Sequence, residues 1–258
     1  MCIWRYGSKS KRVGQATRPA WSNSVIRTDG LQAANLQAAY ILHARRYGDS
    51  SLLIELLARN SGRVACVAKG ALRARRQQTP VQAFQPLQVA LSGRGEVLTL
   101  SRAESCGHPR PLTGRNLYCG LYLNELVQKL TARQDACVAL FEDYGSAIQG
   151  LSERLPAEPV LRRFEVQMLR HLGIGLLLEQ DSQGQPLEAS NRYTYEVQTG
   201  AVPSAQSSAG TVSGRTLLAL RQGQFDEATT LREARQLMRR ILDHHLDGRP
   251  LRSRELFR

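Results

Sequence analysis

From Gln37 onward the apolar residues come in short runs broken by turn residues. Ala38-Ala39-Tyr40-Ile41-Leu42-His43 precedes the polar turn Arg45–Ser50, and Ser51–Leu57 is a second apolar run. Asn60-Ser61-Gly62 reads as a turn and Arg63–Lys69 as a third run. Gly70–Gln82 is basic and polar and reads as a loop. Leu87–Leu91 and Glu96–Leu100 alternate across Ser92-Gly93-Arg94-Gly95, the pattern of a hairpin. Five short strands in about 65 residues predict a small barrel or sandwich. βαβ units need roughly 30 residues each and do not fit.

The period changes after Pro111. Leu117, Leu121, Tyr122, Leu126 and Leu130 recur at helical spacing. Val138–Leu151 is a second amphipathic stretch. Pro159–Leu172 is a third, with Pro near its start and Gly173 just past its end. Residues 179–214 are polar and rich in Gly, Ser and Gln, and predict loops with one short strand at Tyr193–Val197. Thr230-x-x-Glu233 resembles a capping box that opens a last helix through about Leu246. The fold class is α+β: a β domain over residues 37–106, then a mainly helical domain over 107–258. Residues 1–36 have no sustained period and read as a basic, disordered extension in which Trp4 and Trp21 can dock locally.

Charge sharpens this division. The chain of 258 residues carries 35 Lys+Arg against 22 Asp+Glu, a net +13. Residues 1–36 hold +5, 37–106 hold +6, 107–214 hold −2 and 215–258 hold +4. The stretch Leu56–Gly95 contains Arg59, Arg63, Lys69, Arg73, Arg75, Arg76 and Arg94 and no acidic residue. Cations crowded on a small domain repel each other unless an anionic partner uses them, and nucleic acid is the commonest such partner. A solvated basic face and attraction to anionic lipid are the alternatives that charge leaves open.

Other classes find little support. No apolar run reaches the roughly 18 residues of a membrane span, and no apolar segment follows the basic N-terminus as in a secretory signal. The five cysteines (Cys2, Cys66, Cys106, Cys119 and Cys137) are odd in number, scattered, and without a C-x-x-C pair, which predicts a reduced, cytoplasmic compartment. There is no phosphate-binding G-x-x-x-x-G-K-[ST] loop, and Ser92–Gly95 lies in a hairpin. His244 and His245 point about 100° apart on a helix and have no supporting cluster, which favours a structural or surface role. Cys66 alternates within an apolar strand as a small core residue does. A nuclease would need metal-binding carboxylates, which the acid-free stretch does not offer.

Several segments, in order, resemble the bacterial RecO family of recombination mediators. They are Arg63-Val64-Ala65-Cys66-Val67-Ala68-Lys69-Gly70-Ala71, Phe84-Gln85-Pro86-Leu87, Ser92–Leu100, Leu121-Tyr122-Leu123-Asn124-Glu125-Leu126, Leu161–Glu165 with His171-Leu172-Gly173, and Gly248–Phe257. The resemblance covers about residues 37–258. It implies an N-terminal OB-fold and a helical C-terminal domain. It also implies a protein that binds single- and double-stranded DNA and anneals complementary strands; the missing catalytic motifs add the expectation that it is not an enzyme. With RecR, such a protein loads recombinase onto DNA coated by single-strand-binding protein. Some members of the family carry a four-cysteine zinc site where this chain has Leu176–Leu187, without cysteine or histidine, so no metal and no cofactor are expected. The leader 1–36 is also unlike the family. No Met stands between Met1 and Met168, so a start inside the leader falls at a non-Met codon such as that for Val25 or Leu31.

Annealing needs charge neutralisation and exposed bases rather than bond chemistry. The expected DNA-binding residues are Arg46, Arg63, Lys69, Arg73, Arg75, Arg76, Arg94 and Arg102. Among the aromatic residues of 37–106, Tyr47 lies in a turn and can stack on a base, while Tyr40 and Phe84 read as core. A docking site for the acidic tail of single-strand-binding protein is expected on the helix Pro159–Leu172, with Arg162 and Arg163 at its rim. The competing reading of Arg162 is an ion pair with Glu158 or Glu165 on the helix surface. The expected state is a cytoplasmic, nucleoid-associated monomer. The alternative function is a protein-interaction adaptor whose basic surface binds acidic protein tails.

Overall fold

β1 (Gln37–Tyr47) is buried on both faces over Ala38–Leu42, and the fold uses both. Ala39 and Ile41 enter the barrel core with Ile54, Leu56, Val64, Cys66 and Val89. Ala38, Tyr40 and Leu42 point the other way, into the core of the helical domain. This explains the unbroken apolar run of the strand: alternation is lost where both faces meet protein. The computed structural model describes residues 36–73, 82–106, 111–205 and 210–257. Trp4, Trp21, Arg75 and Arg76 lie outside the described residues.

β2 (Ser51–Ala58), β3 (Gly62–Ala68), β4 (Leu87–Ser92) and β5 (Val97–Ser105) complete a closed barrel in the order β1-β2-β3-β5-β4. β3 and β5 run parallel and the other pairs antiparallel. Pairing of Gln37 with Val89 closes the ring, so the barrel has no open edge. The five strands and the OB-like barrel agree with expectation, except that β1 runs on through Arg45-Arg46-Tyr47, whose polarity reads as turn; all three side chains are exposed there. Tyr40 and Phe84 are in the core as expected. So is Cys66, whose thiol burial, with a smaller push from Glu55, raises to about 12, far from a nucleophile's range.

A bulge fixes how the barrel meets the helices. The β1–β2 register shifts between Ile41 and His43, leaving Leu42 as the extra residue. Its carbonyl accepts from Asn124 Nδ2 at 2.8 Å and from Gln128 Nε2 at 3.4 Å, both on the helix Gly114–Leu130. Gly62 sits at φ 66° with Asp135 packed so closely that a Cβ would lie 2.0 Å from its carbonyl oxygen. Only glycine fits that seam.

The helical domain contains α1 (Gly114–Leu130), α2 (Val138–Ser152), α3 (Ala157–His171), α4 (Gly214–Gln222) and α5 (Ala228–Leu246), followed by a short 3-10 helix, Arg252–Phe257. The polar region holds three strands rather than the single one its composition predicts: β6 (Arg192–Glu196), β7 (Gly200–Ser204) and β8 (Thr211–Ser213), in the order β7-β6-β8. Tyr193, Tyr195, Ala201 and Val212 are the buried apolar positions of these strands, too widely spaced among Gly, Ser and Gln to read as a run.

The capping box is also corrected. α5 begins at Ala228, before Thr230, and Glu233 turns to another helix. Its Oε2 accepts from Ser213 N at 2.9 Å, Ser213 Oγ at 2.7 Å and Thr216 Oγ1 at 2.7 Å, and its Oε1 from Arg192 at 2.9 Å. Glu233 thus buttresses the start of α4, where Ser213 is the N-cap.

Candidate nucleic-acid interface and peptide pocket

The barrel register sorts the predicted cations. Arg46 lies opposite Leu52, and Leu52 opposite Ala68, so Arg46 and Lys69 belong to the same end of the barrel. The turn after β3 folds back onto the β1–β2 turn, with Leu72 N donating to the Ser50 carbonyl at 2.9 Å and Arg73 N to the Gly70 carbonyl at 2.9 Å. That brings Arg73 to the same end. Tyr47, 55% exposed, stands beside them, its ring available for stacking. On β5, Thr99 pairs with Val67, and exposed Arg102 follows three residues later toward that end. Arg102 donates from Nε to Glu104 Oε1 at 2.7 Å, which reduces its value as a cation.

Arg94 is exposed, but on the hairpin before Val97, which pairs with Ala65. Val97 and Arg102 are about 17 Å apart along an extended strand, so Arg94 is at the other end of β5. Among the described residues, Arg46, Lys69, Arg73 and Arg94 make no ion pair. Unneutralised cations around one exposed aromatic can track a phosphate backbone without reading bases.

Arg63 is not part of that surface. It donates from Nη1 to Glu55 at 2.5 Å, from Nη2 to the Thr131 carbonyl at 2.7 Å and from Nε to Thr131 Oγ1 at 3.2 Å. Its side chain is 15% exposed. Glu55 also accepts from Arg133 at 3.0 Å. A cation already held by a carboxylate and a carbonyl has few donors left for phosphate, so Arg63 ties the barrel to the end of α1.

The helical domain has a cavity of about 540 Å³ between α1, α3, α5 and the C-terminal segment. Cys119, Tyr122, Leu161, Leu246, Leu251 and Phe257 supply its apolar lining. Arg115, Arg235, Arg239 and Arg249 stand around them together with Glu158, Asp243 and Glu255. Glu158 pairs with Arg115 and Arg235, and Asp243 with Arg239 and Arg254, which leaves the cations in excess. Arg162 is in this cavity, but not at an exposed rim. It is 7% exposed and donates from Nη2 to Glu165 Oε1 at 2.6 Å, the same oxygen that accepts from Tyr122 Oη at 2.7 Å. The Arg162–Glu165 pair that the helical spacing allows is therefore present, inside the protein rather than on its surface. Burial pushes the Glu165 carboxyl up, against the smaller downward pull of Arg162, Tyr122 and Arg254. Arg162 Nε and Arg254 Nη2 are buried donors with no acceptor among the described residues. Such donors suit an incoming anion.

Arg163 is corrected as well. It is exposed, does not line the cavity, and its aliphatic stem lies against Gly223. The other cavity arginines come from α1, α5 and the C-terminal segment, far from α3 in the chain. Their only sequence signal is the Gly248–Phe257 motif.

Leu176–Leu187 forms a turn held by Asp181, whose Oδ1 accepts from Gln183 N and Gln185 N, both at 2.9 Å, between buried Leu178 and Leu187. Among the described residues no group of three His, Cys, Asp or Glu is placed to hold a metal ion, and no helix is long and apolar enough to cross a membrane.

Comparison with known proteins gives matches over both regions. Residues 35–108 match the family model described as Recombination protein O N terminal, and residues 111–255 match Recombination protein O C terminal. The chain is 44% identical over 225 residues to the DNA repair protein RecO of Methylococcus capsulatus, covering 86% of this chain and 93% of that one. It is 45% identical over 232 residues to that of Aromatoleum aromaticum, with 88% and 96% covered. It is 40% identical over 226 residues to that of Shigella flexneri, with 86% and 93% covered. With both family models matched and these relatives aligned over most of their length, the chain belongs to the RecO family.

Proposed function

We propose that this chain is a DNA-binding recombination mediator in DNA repair. It binds single- and double-stranded DNA through the barrel end that carries Arg46, Tyr47, Lys69, Arg73 and Arg102, with Arg75 and Arg76, the next basic residues in the sequence after Arg73, and Arg94 as an outlying contact. It anneals complementary strands and, with RecR, helps load recombinase onto DNA covered by single-strand-binding protein. It works without a catalytic step, as a monomer in the cytoplasm at the nucleoid. The family and the relatives' name support the repair role. The observation that carries the DNA contact is the gathering of unneutralised cations around exposed Tyr47 at one end of a closed barrel. Few stacking residues and many cations mean weak sequence preference and a steep salt dependence.

The test is titration of unrelated labelled oligonucleotides over a range of salt, followed by annealing without ATP and with a chelator. Tight, sequence-tolerant, salt-sensitive binding and chelator-resistant annealing are expected. Salt-independent binding, or annealing that stops on chelation, overturns the reading. The cavity favours a second activity that coexists with the first. A short acidic tail ending in an apolar residue with a free carboxylate, such as that of single-strand-binding protein, suits an apolar floor with buried arginine donors. Peptide capture without DNA binding is the adaptor reading, and loss of all oligonucleotide binding would favour it.

A further inference from the structure

The cavity has one wall that α1, α3 and α5 do not supply. Leu251, Arg254, Glu255 and Phe257 line it from the C-terminal strap, the turn and 3-10 helix that follow α5. A short 3-10 helix has weak hydrogen bonds of its own and leaves its first amides without internal partners. Those amides find Glu125 on α1. Glu125 Oε1 accepts from Arg252 N at 3.0 Å, and Oε2 accepts from Ser253 N at 2.8 Å and Ser253 Oγ at 2.6 Å. Lys129, one turn on, pairs with Glu125 at 2.9 Å and donates to the Pro250 carbonyl. Arg249 returns a bond to the Lys129 carbonyl at 3.0 Å, and the Phe257 ring lies edge-on to Tyr118 at 6.1 Å. Burial pushes the Glu125 carboxyl up, but the bonds from Ser253, Lys129 and Arg252 outweigh it and hold it at about 2.

We propose that Glu125 is a positioning residue for the peptide cavity: its carboxylate clamps the strap onto α1, and the cavity binds its ligand only while the strap is clamped. This rests on the reading of the cavity as a docking site for an acidic tail. The strap carries Arg254, ion-paired with Asp243 of α5, within electrostatic reach of Glu165, and Phe257 to the apolar lining. With the strap released, the floor on α1 and α3 remains, but one wall and one buried cation are gone. The apparent affinity then falls by the fraction of molecules in the clamped state. Glu125 does not face the ligand, so its effect is on the rate of capture more than on the rate of release.

The experiment uses the full chain, Glu125→Gln and Ser253→Ala, with a fluorescein-labelled Asp-Asp-Asp-Leu-Phe peptide bearing a free C-terminal carboxylate. Glu125→Gln keeps the shape of the side chain but loses the charge that holds the amides. It should weaken peptide binding about tenfold, mainly through slower association, if the clamped fraction falls about tenfold. Ser253→Ala removes only the hydroxyl contact and should fall between parent and Glu125→Gln. Oligonucleotide affinity should stay at the parent level in both. Trypsin should cut after Arg252 or Arg254 faster in Glu125→Gln, and saturating peptide should restore protection. Equal peptide association in parent and both variants overturns the clamp. So does faster cleavage without any change in peptide binding, which would make the strap irrelevant to the cavity. A parent that fails to bind the peptide overturns the docking reading itself, and the clamp's role in it falls with it.

Discussion

Asn124 of α1 donates to the carbonyl of Leu42 at the β1 bulge, 2.8 Å away and 82 residues earlier in the chain. Its Oδ1 accepts from Tyr144 Oη at 2.6 Å, so one 2%-exposed amide satisfies a strand carbonyl and a helix hydroxyl. Asn124→Leu would leave the buried Tyr144 hydroxyl without an acceptor, at about 1–3 kcal/mol, while Gln128 Nε2, 3.4 Å from the Leu42 carbonyl, still donates to it. Urea denaturation should show a loss of that order. Asn124→Leu combined with Tyr144→Phe should recover part of it.

The salt dependence of DNA binding separates the barrel's cations. Replacing Arg73, Arg75 and Arg76 together by Ala should flatten the log–log salt slope by roughly 2–3 units, near one for each phosphate no longer neutralised, and equally for unrelated sequences. Arg63→Ala should leave the slope where it was and lower stability by about 1.5–3 kcal/mol, as removal of a charged hydrogen-bond donor does. A flattened slope in Arg63→Ala, or an unchanged one in the triple variant, would reverse their roles.

Arg162 and Glu165 form a pair in which each needs the other. Arg162→Ala leaves the Glu165 carboxyl buried without its cation and should cost about 3–5 kcal/mol. Arg162→Met with Glu165→Leu removes both charges and should recover part of that stability; the buried Tyr122 hydroxyl, which donates to Glu165 in the parent, still loses its acceptor. The double variant should still lose acidic-peptide binding, because the buried donor has gone. Thermal melts and peptide titration on the same samples separate the two effects.

Glu233 predicts a pH signature. Burial pushes its carboxyl up, but the bonds from Ser213, Thr216 and Arg192 outweigh that and hold it at about 2, below its ordinary 4.5. A carboxyl depressed in the folded state stabilises above its unfolded value, and the benefit is lost as pH falls through the folded one. The stability gap between parent and Glu233→Gln should therefore be full above pH 4.5 and shrink toward pH 2. Its plateau should be about 1–3 kcal/mol, the range for charge-assisted bonds in a partly exposed group. Chemical denaturation at stepped pH measures it, and a gap that widens on acidification would contradict the assignment.

What can be read in the sequence follows from the range of the forces involved. The five barrel strands are legible because each contains a short apolar run bounded by local turn residues, though the polar ends of β1 and β5 are not. Tyr40 and Leu42 show as apolar, but not as facing a second core, because α2 and α1 cover them from about 80 or more residues away. Arg162 looks like a surface cation for the same reason: its i,i+3 pair with Glu165 reads alike whether α5 and the strap cover it or water does. Thr230 and Glu233 have the spacing of a capping box, yet Ser213 and Thr216 offer Glu233 better-placed donors from another element. The basic end of the barrel is legible in charge alone. The exclusion of Arg63 from it is not, since Thr131 comes into reach only after folding.

The two-sided β1 strand sets a timetable for the nascent chain. Tyr40 packs against Phe141 and Tyr144, ring centroids 5.4 and 5.0 Å away, about a hundred residues downstream. At about 5–20 residues per second, a ribosome takes roughly 5–20 s to deliver those partners. The barrel strands are all synthesised by then, so the ring can close while the outward side of β1 still waits with Tyr40 and Leu42 bare. For that interval the newborn barrel carries an adhesive stripe that the finished protein does not, and whatever shields it, the ribosome's surface or a chaperone, must let go when α2 arrives.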